Sequence, residues 1–127
     1  MLPVIAGVLL LALPTTALLC FFPISSDLCA NTDLRESISP NGALKTVLFV
    51  RDCGATTSYS TQVSILPVSD HLPNEAGNVF ILGDKSAVVV RWIDDRHINI
   101  SSDGAATIFK RLTNFNGIMV TFDQWPL

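Results

Sequence analysis

The sequence predicts an all-β fold, a small antiparallel sandwich or rolled sheet of about six to seven strands, preceded by one hydrophobic N-terminal helix. Three observations carry this. Short runs rich in β-branched and aromatic residues succeed one another after residue 40, each bounded by Gly, Pro, Asn, Asp or Ser. No segment after residue 30 shows convincing helical periodicity. All 19 charged residues lie from Asp27 onward, so the first 26 carry none.

The uncharged front end is read first. Leu2 to Phe22 is apolar except for Thr15 and Thr16. A helix rising ~1.5 Å per residue crosses a ~30 Å hydrocarbon core in about 20 residues, and this run is long enough. Pro14 would kink it, which membrane helices tolerate. Two readings stay open: a retained signal-anchor, or a signal peptide cleaved near Thr15-Thr16-Ala17. The anchor is favoured because the apolar run continues past Ala17 to Phe22. A lipid-modified Cys20 would want a small residue before it, and Leu19 is bulky. No Lys or Arg precedes Arg35, so the basic flank usual in both signals is missing. With acidic Asp27 and Asp33 just behind the span, the amino terminus is assigned to the cytoplasm and the rest to the outside. The expected division is 1–24 signal-anchor or signal peptide, 25–38 linker, and 39–127 extracytoplasmic β-domain, with residues 2–22 contacting the membrane.

The remaining chain, roughly 100 residues, is too short for a Rossmann unit with a substrate domain or a TIM barrel. Apolar residues at 49% and charged residues at 15% argue against disorder, and a net charge of −3 argues against general nucleic-acid binding.

The β elements follow in order. Ser39-Pro40-Asn41-Gly42 is a turn signal. Residues 44–53 are β-prone with apolar residues on both faces, which suits a central strand. Residues 59–65 alternate, with Tyr59, Thr61, Val63 and Ile65 on one face, and read as a half-buried antiparallel strand that Pro67 ends. Residues 68–77 are the longest irregular stretch. Strands are then expected at 79–82, 87–93, 97–101, 107–112 and 118–122. Turns are expected at Gly83-Asp84, Asp94-Asp95-Arg96, Ser102-Asp103-Gly104 and Thr113 to Gly117. The Ser-Pro-Asn-Gly turn and Trp92-Ile93-Asp94-Asp95 resemble parts of propeller blades, but the domain is too short to close a propeller.

Of three cysteines, Cys20 sits in the apolar run. In an oxidising compartment Cys29 and Cys53 would pair, closing a loop of about 25 residues and contributing on the order of 3 kcal/mol. The alternative is two reduced, buried thiols. No Cys-x-x-Cys pair or His-x-x-x-His spacing points to zinc, and no cofactor is expected.

Arg51-Asp52-Cys53-Gly54-Ala55-Thr56-Thr57, with Ser60 to Pro67 behind it, resembles an uncharacterised family of small bacterial exported or membrane-tethered β-domain proteins carrying an Asp-Cys-Gly-Ala-Thr-Thr motif. Ser39 to Gly42, Gly77-Asn78-Val79-Phe80 and Val90-Arg91-Trp92 extend the resemblance over roughly residues 28–122. It implies an exported bacterial protein and no assigned activity. This chain departs from the pattern in its shorter stretch between Leu82 and Val88 and in lacking basic residues ahead of the apolar run.

Candidate binding residues are Arg51, Gly54, Thr56, Thr57 and Arg91. The Cys-Gly-Ala-Thr-Thr loop could offer backbone N–H groups and hydroxyls to an anion, or simply connect two strands. Arg51 and Arg91 could recognise an anionic ligand, or emerge at a solvent face or pair with a nearby carboxylate. Cys53 with His97 or His71 could be a nucleophile–base pair, unless Cys53 is oxidised. No Gly-x-Ser-x-Gly elbow is present, and no catalytic residue is assigned. Asp94-Asp95 could be ligands or a plain turn. Trp92 and Trp125 could anchor a partner or pack on the sheet. Asn99-Ile100-Ser101 matches a glycosylation acceptor but falls in an expected strand. The leading reading is a non-catalytic, membrane-tethered interaction module with a protein partner not identified. The alternatives are a small exported enzyme using Cys53 or a nearby hydroxyl, and a cleaved soluble module.

Overall fold

The computed structural model describes residues 28–55, 57–103 and 106–124. The apolar segment with Cys20, the candidate Thr56 and the tail bearing Trp125 lie outside the described residues.

The strands are β1 (Ala30–Ile38), β2 (Leu44–Asp52), β3 (Ser60–Pro67), β4 (Phe80–Gly83), β5 (Val88–Asp94), β6 (His97–Ser102), β7 (Ile108–Arg111), β8 (Asn114–Phe115) and β9 (Ile118–Gln124). They form two sheets, one in the order β1-β2-β3-β4-β7 and one in the order β5-β6-β9-β8. The fold is all-β with no helix among the described residues, as the sequence predicts. The seven expected strands are all present, within a residue or two at their ends.

Two strands were not expected. Ala30–Ile38, read as linker, is the edge strand β1 and pairs with β2 from Ala30↔Asp52 to Ile38↔Lys45. Its polar sequence, Asn-Thr-Asp-Leu-Arg-Glu-Ser, hides it from any hydrophobic pattern. An edge strand exposed along most of its length has little apolar surface to bury. Asn114–Phe115 is the short strand β8, and the turn shrinks to Asn116-Gly117. These two residues have φ of 48° and 84°, the left-handed pair a tight two-residue hairpin needs. Nor is the pairing wholly antiparallel. β6 and β9 run parallel, because the chain leaves the second sheet after β6, adds β7 to the first sheet, and returns through the β8–β9 hairpin.

The core lies between the sheets. Val63 and Ile65 from β3, Phe80 and Leu82 from β4, Ile98 and Ile100 from β6, and Ile118 and Val120 from β9 are buried together there. Leu48 from β2 and Val90 and Trp92 from β5 pack against this cluster. The Trp92 indole N–H donates to the Ser37 carbonyl at 2.9 Å, tying the edge of one sheet to the edge of the other. At the same end, the Asn41 N–H donates to Asp95 Oδ1, joining the β1–β2 and β5–β6 turns. Asp94 Oδ1 accepts from the Arg96 N–H inside the hairpin, so the adjacent carboxylates diverge as a plain turn requires.

The opposite face of the first sheet is also buried. Val47 and Phe49 have no exposed surface, and Gln62 and Ser64 are buried beside them. β3 is thus buried on both faces rather than half-buried. The reason is residues 68–79, whose hydrogen bonds strap them across this face. The Gly77 N–H donates to Gln62 Oε1 and the Asn78 N–H to Ser64 Oγ. The Asn78 side chain bridges the Ile65 backbone, accepting from its N–H and donating to its carbonyl. The Asn31 amide donates to the carbonyls of Pro73 and Glu75. Among the described residues no buried side-chain nitrogen or oxygen lacks a partner. At the other end of the face, buried Lys45 pairs with Glu36 at 3.1 Å.

Cys29 and Cys53 form a disulfide of 2.04 Å, one step beyond the Ala30↔Asp52 pair. It clamps the start of β1 to the end of β2. Replacing both cysteines by serine should lower unfolding stability by about 3 kcal/mol, read from urea melts compared with and without reductant. Gly77 admits no side chain: a Cβ there would lie 2.8 Å from the Val63 carbonyl oxygen and 2.9 Å from that of Phe80. Gly77→Ala should therefore destabilise by about 1–3 kcal/mol, with hydrogen exchange accelerating first in the strap.

Candidate functional site

The candidate binding residues named from the sequence disperse. Arg51 lies on the outer face of the first sheet with Val47 and Phe49. Its guanidinium donates to Asn31 Oδ1 at 2.8 Å and Asn74 Oδ1 at 3.0 Å. The Asn74 amide in turn donates to the Cys29 carbonyl. Arg51 is therefore a fastener for the strap. Arg91 is exposed on the outer face of the second sheet, opposite Asn99. The two arginines thus belong to outer faces of different sheets.

The Cys-Gly-Ala-Thr-Thr loop turns back on itself. Gly54 has φ of 103°, which its missing side chain permits. The Gly54 N–H donates to Asp52 Oδ1 at 3.0 Å, and the Thr57 N–H and hydroxyl both donate to the Gly54 carbonyl. These donors are engaged within the loop, and the adjacent Asp52 carboxylate would repel an anion. Thr57 lines the larger of the depressions described below.

The histidines and the cysteine do not converge either. Cys53 is oxidised, so its sulfur is no nucleophile. His97 lies on the second sheet's outer face with Nε2 2.8 Å from Thr121 Oγ1. The Asn99 amide donates to that same hydroxyl, and Ser101 Oγ donates to Asn99 Oδ1. Asn99 is thereby committed to the sheet surface. His71 is exposed in the strap. No group of three or more His, Cys, Asp or Glu gathers as a metal site among the described residues.

The site that does form is a trough at the end of the sandwich where three connections meet: β2–β3, β4–β5 and β6–β7. One depression of about 720 Å³ is lined by Thr57, Tyr59, Lys85, Ser86, Asp103 and Phe109, among others. A second, of about 550 Å³, runs along Thr32, Leu34, Val50 and Asp52, and shares Tyr59, Lys85 and Ser86 with the first. Lys85 sits at the divide, its ammonium 4.0 Å from the centre of the Tyr59 ring, a cation–π contact.

The turn carrying Lys85 is fixed from below. Asp84 has φ of 70°, a conformation that Asp tolerates better than most residues, and its Oδ1 accepts from the Lys85 N–H at 2.8 Å. The Thr61 hydroxyl donates to the Asp84 carbonyl at 2.9 Å and accepts from the Ser86 N–H at 3.1 Å. Phe109 forms the far rim. Its ring is 70% exposed yet rests on Gly83, where a Cβ would come within 2.9 Å of Cε2. Close against a glycine on one side and open on the other, the ring can serve as a platform.

Sequence reasoning named Thr57 but missed Tyr59, Lys85 and Phe109. Tyr59 and Phe109 look like ordinary strand residues, and Lys85 like an ordinary turn residue. Their juxtaposition comes from sheet order, which brings β4 between β3 and β7. Thr61→Val removes both hydrogen bonds that brace the Lys85 turn. It should destabilise by about 1–3 kcal/mol and speed amide exchange at Ser86, measured by hydrogen–deuterium exchange. Comparison with protein-family models finds no match for this chain, and comparisons with curated proteins and with solved structures find none either.

Proposed function

We propose that this chain is a non-catalytic binding module, displayed outside the cytoplasm by its apolar amino-terminal segment, and that the trough is where its partner docks. The observation that carries the reading is the pair of exposed aromatic residues, Tyr59 stacked with Lys85 of the braced turn and Phe109 seated on Gly83, beside hydroxyl-bearing residues. A concave surface with rigid aromatic rims and a few placed polar groups is the usual form of a recognition site. Oxidised Cys53 weighs against the enzyme that would have used it, and the Cys29–Cys53 bond is in keeping with an oxidising compartment. The tether rests on the uncharged run from Leu2 to Phe22. The resemblance to small exported bacterial proteins belongs to the same proposal.

The test is made on the full chain in its native cell. Membrane fractionation with thiol alkylation should place it in the membrane fraction with Cys29 and Cys53 blocked. A photo-crosslinking amino acid at position 109 should give adducts in situ that one at position 119, on the outer face of the second sheet, does not. Recovery from the cytosol with both thiols free, or equal crosslinking from the two positions, would overturn the reading.

A further inference from the structure

The charge of the trough restricts what it holds. Around the first depression the carboxylate of Asp84 stands against the ammonium of Lys85. In the second, Asp52 balances Lys85. An anionic ligand would therefore meet as much repulsion as attraction. A purely apolar ligand would cover the hydroxyl-bearing residues Ser58, Ser86 and Thr107 of the lining without offering them a hydrogen-bond partner, an unfavourable exchange. The ligand that satisfies both sides is neutral, rich in hydroxyl groups, and has flat faces of polarised C–H bonds to lie on an aromatic ring, whose face is the negative part of its quadrupole.

The shape restricts it further. Two depressions side by side, sharing Tyr59, Lys85 and Ser86, suit an elongated ligand of repeating units better than one compact molecule. Phe109 offers such a ligand a ring that is exposed above and seated on Gly83 below. Tyr59, 43% exposed, has Lys85 stacked on its ring, which fixes the ring's setting before any ligand arrives. A platform already in place spares the ligand the entropy of ordering it.

We infer that the trough binds a neutral oligosaccharide, one sugar stacked on Phe109 and the chain running past Tyr59 and Lys85 towards the β1–β2 end. This rests on the trough being the docking site. It adds the class of ligand.

The test uses the full chain, first on an array of neutral and acidic glycans and then by calorimetry with the best soluble neutral oligosaccharide of three to six units. Binding should appear among neutral glycans. Phe109→Ala should weaken it at least tenfold and Tyr59→Ala similarly, with circular dichroism and the melting temperature reporting that both variants fold. Gly83→Ala, which pushes the ring from its seat, should weaken binding while Phe109 remains present. Raising the salt from about 0.05 to 0.5 M should change affinity by less than threefold, since no ligand charge is being read. A tenfold loss at high salt, or selection of acidic glycans alone, overturns the inference. So does a peptide from a displayed library that binds in a Phe109-dependent way when no glycan does, although the trough would then still be the docking site. If no glycan or peptide binds and position 109 gives no crosslinks in the cell, the docking reading falls as well.

Discussion

The first sheet has two apolar faces, and only one of them meets the second sheet. That is the constraint the rest of the structure answers. β2 carries Leu44 and Leu48 towards the core and Val47 and Phe49 away from it. Leaving Phe49 and Val47 in water would forfeit roughly 1.5–3 kcal/mol for each side chain. Residues 68–79 cover them instead. This segment has few apolar residues of its own, and among residues 68–76 Leu72 is the one that is half-buried, the others being exposed. It is held by polar fastening: Arg51 and Asn31 at one end, Gln62, Ser64 and Asn78 at the other. The irregular stretch is thus a second layer for half the sheet. It also explains why a strand bearing Gln62 and Ser64 can be buried on both faces, since Gln62 Oε1 and Ser64 Oγ find donors in the strap and the Gln62 amide finds Ser60 Oγ.

Much of the architecture was legible in the sequence because strand, turn and burial leave local marks. Val, Ile, Phe and Thr cluster in β2, β3, β5, β6 and β9, and the Ser-Pro-Asn-Gly and Asp-Asp-Arg turns fall where they were expected. The disulfide was legible from its compartment argument. β1 was not, because an edge strand with Asp33, Arg35 and Glu36 gains its place from backbone pairing to β2, and pairing leaves no imprint on composition. The parallel β6–β9 pair was hidden for a related reason. It depends on which sheet β7 joins, and a four-residue strand of Ile, Phe, Lys and Arg is compatible with either.

The site was less legible than the fold. Arg51 drew attention as a charged residue in an apolar strand, and its real work is to hold Asn31 and Asn74. The Cys-Gly-Ala-Thr-Thr loop drew attention by its composition, and its Gly54 and Thr57 donors are turned inward. The trough draws on three separate connections, each unremarkable alone. Tyr59 follows the distinctive loop, Lys85 follows a residue in the left-handed region, and Phe109 precedes two cations on an edge strand. Only the sheet order places them around one depression.

The position of the disulfide bears on how the domain would withstand tension. A pull applied to the chain ahead of residue 28 enters the fold at Cys29. Without a covalent link it would unzip β1 from β2 one pair at a time, starting at Ala30 and Asp52, the easiest way to tear a hairpin. With the sulfurs joined, the load passes directly into Cys53 and so into the far end of β2, which lies between two neighbours and under the strap. The ladder of β1 is bypassed, and a domain hung from its leading end has its weakest seam shielded from the force.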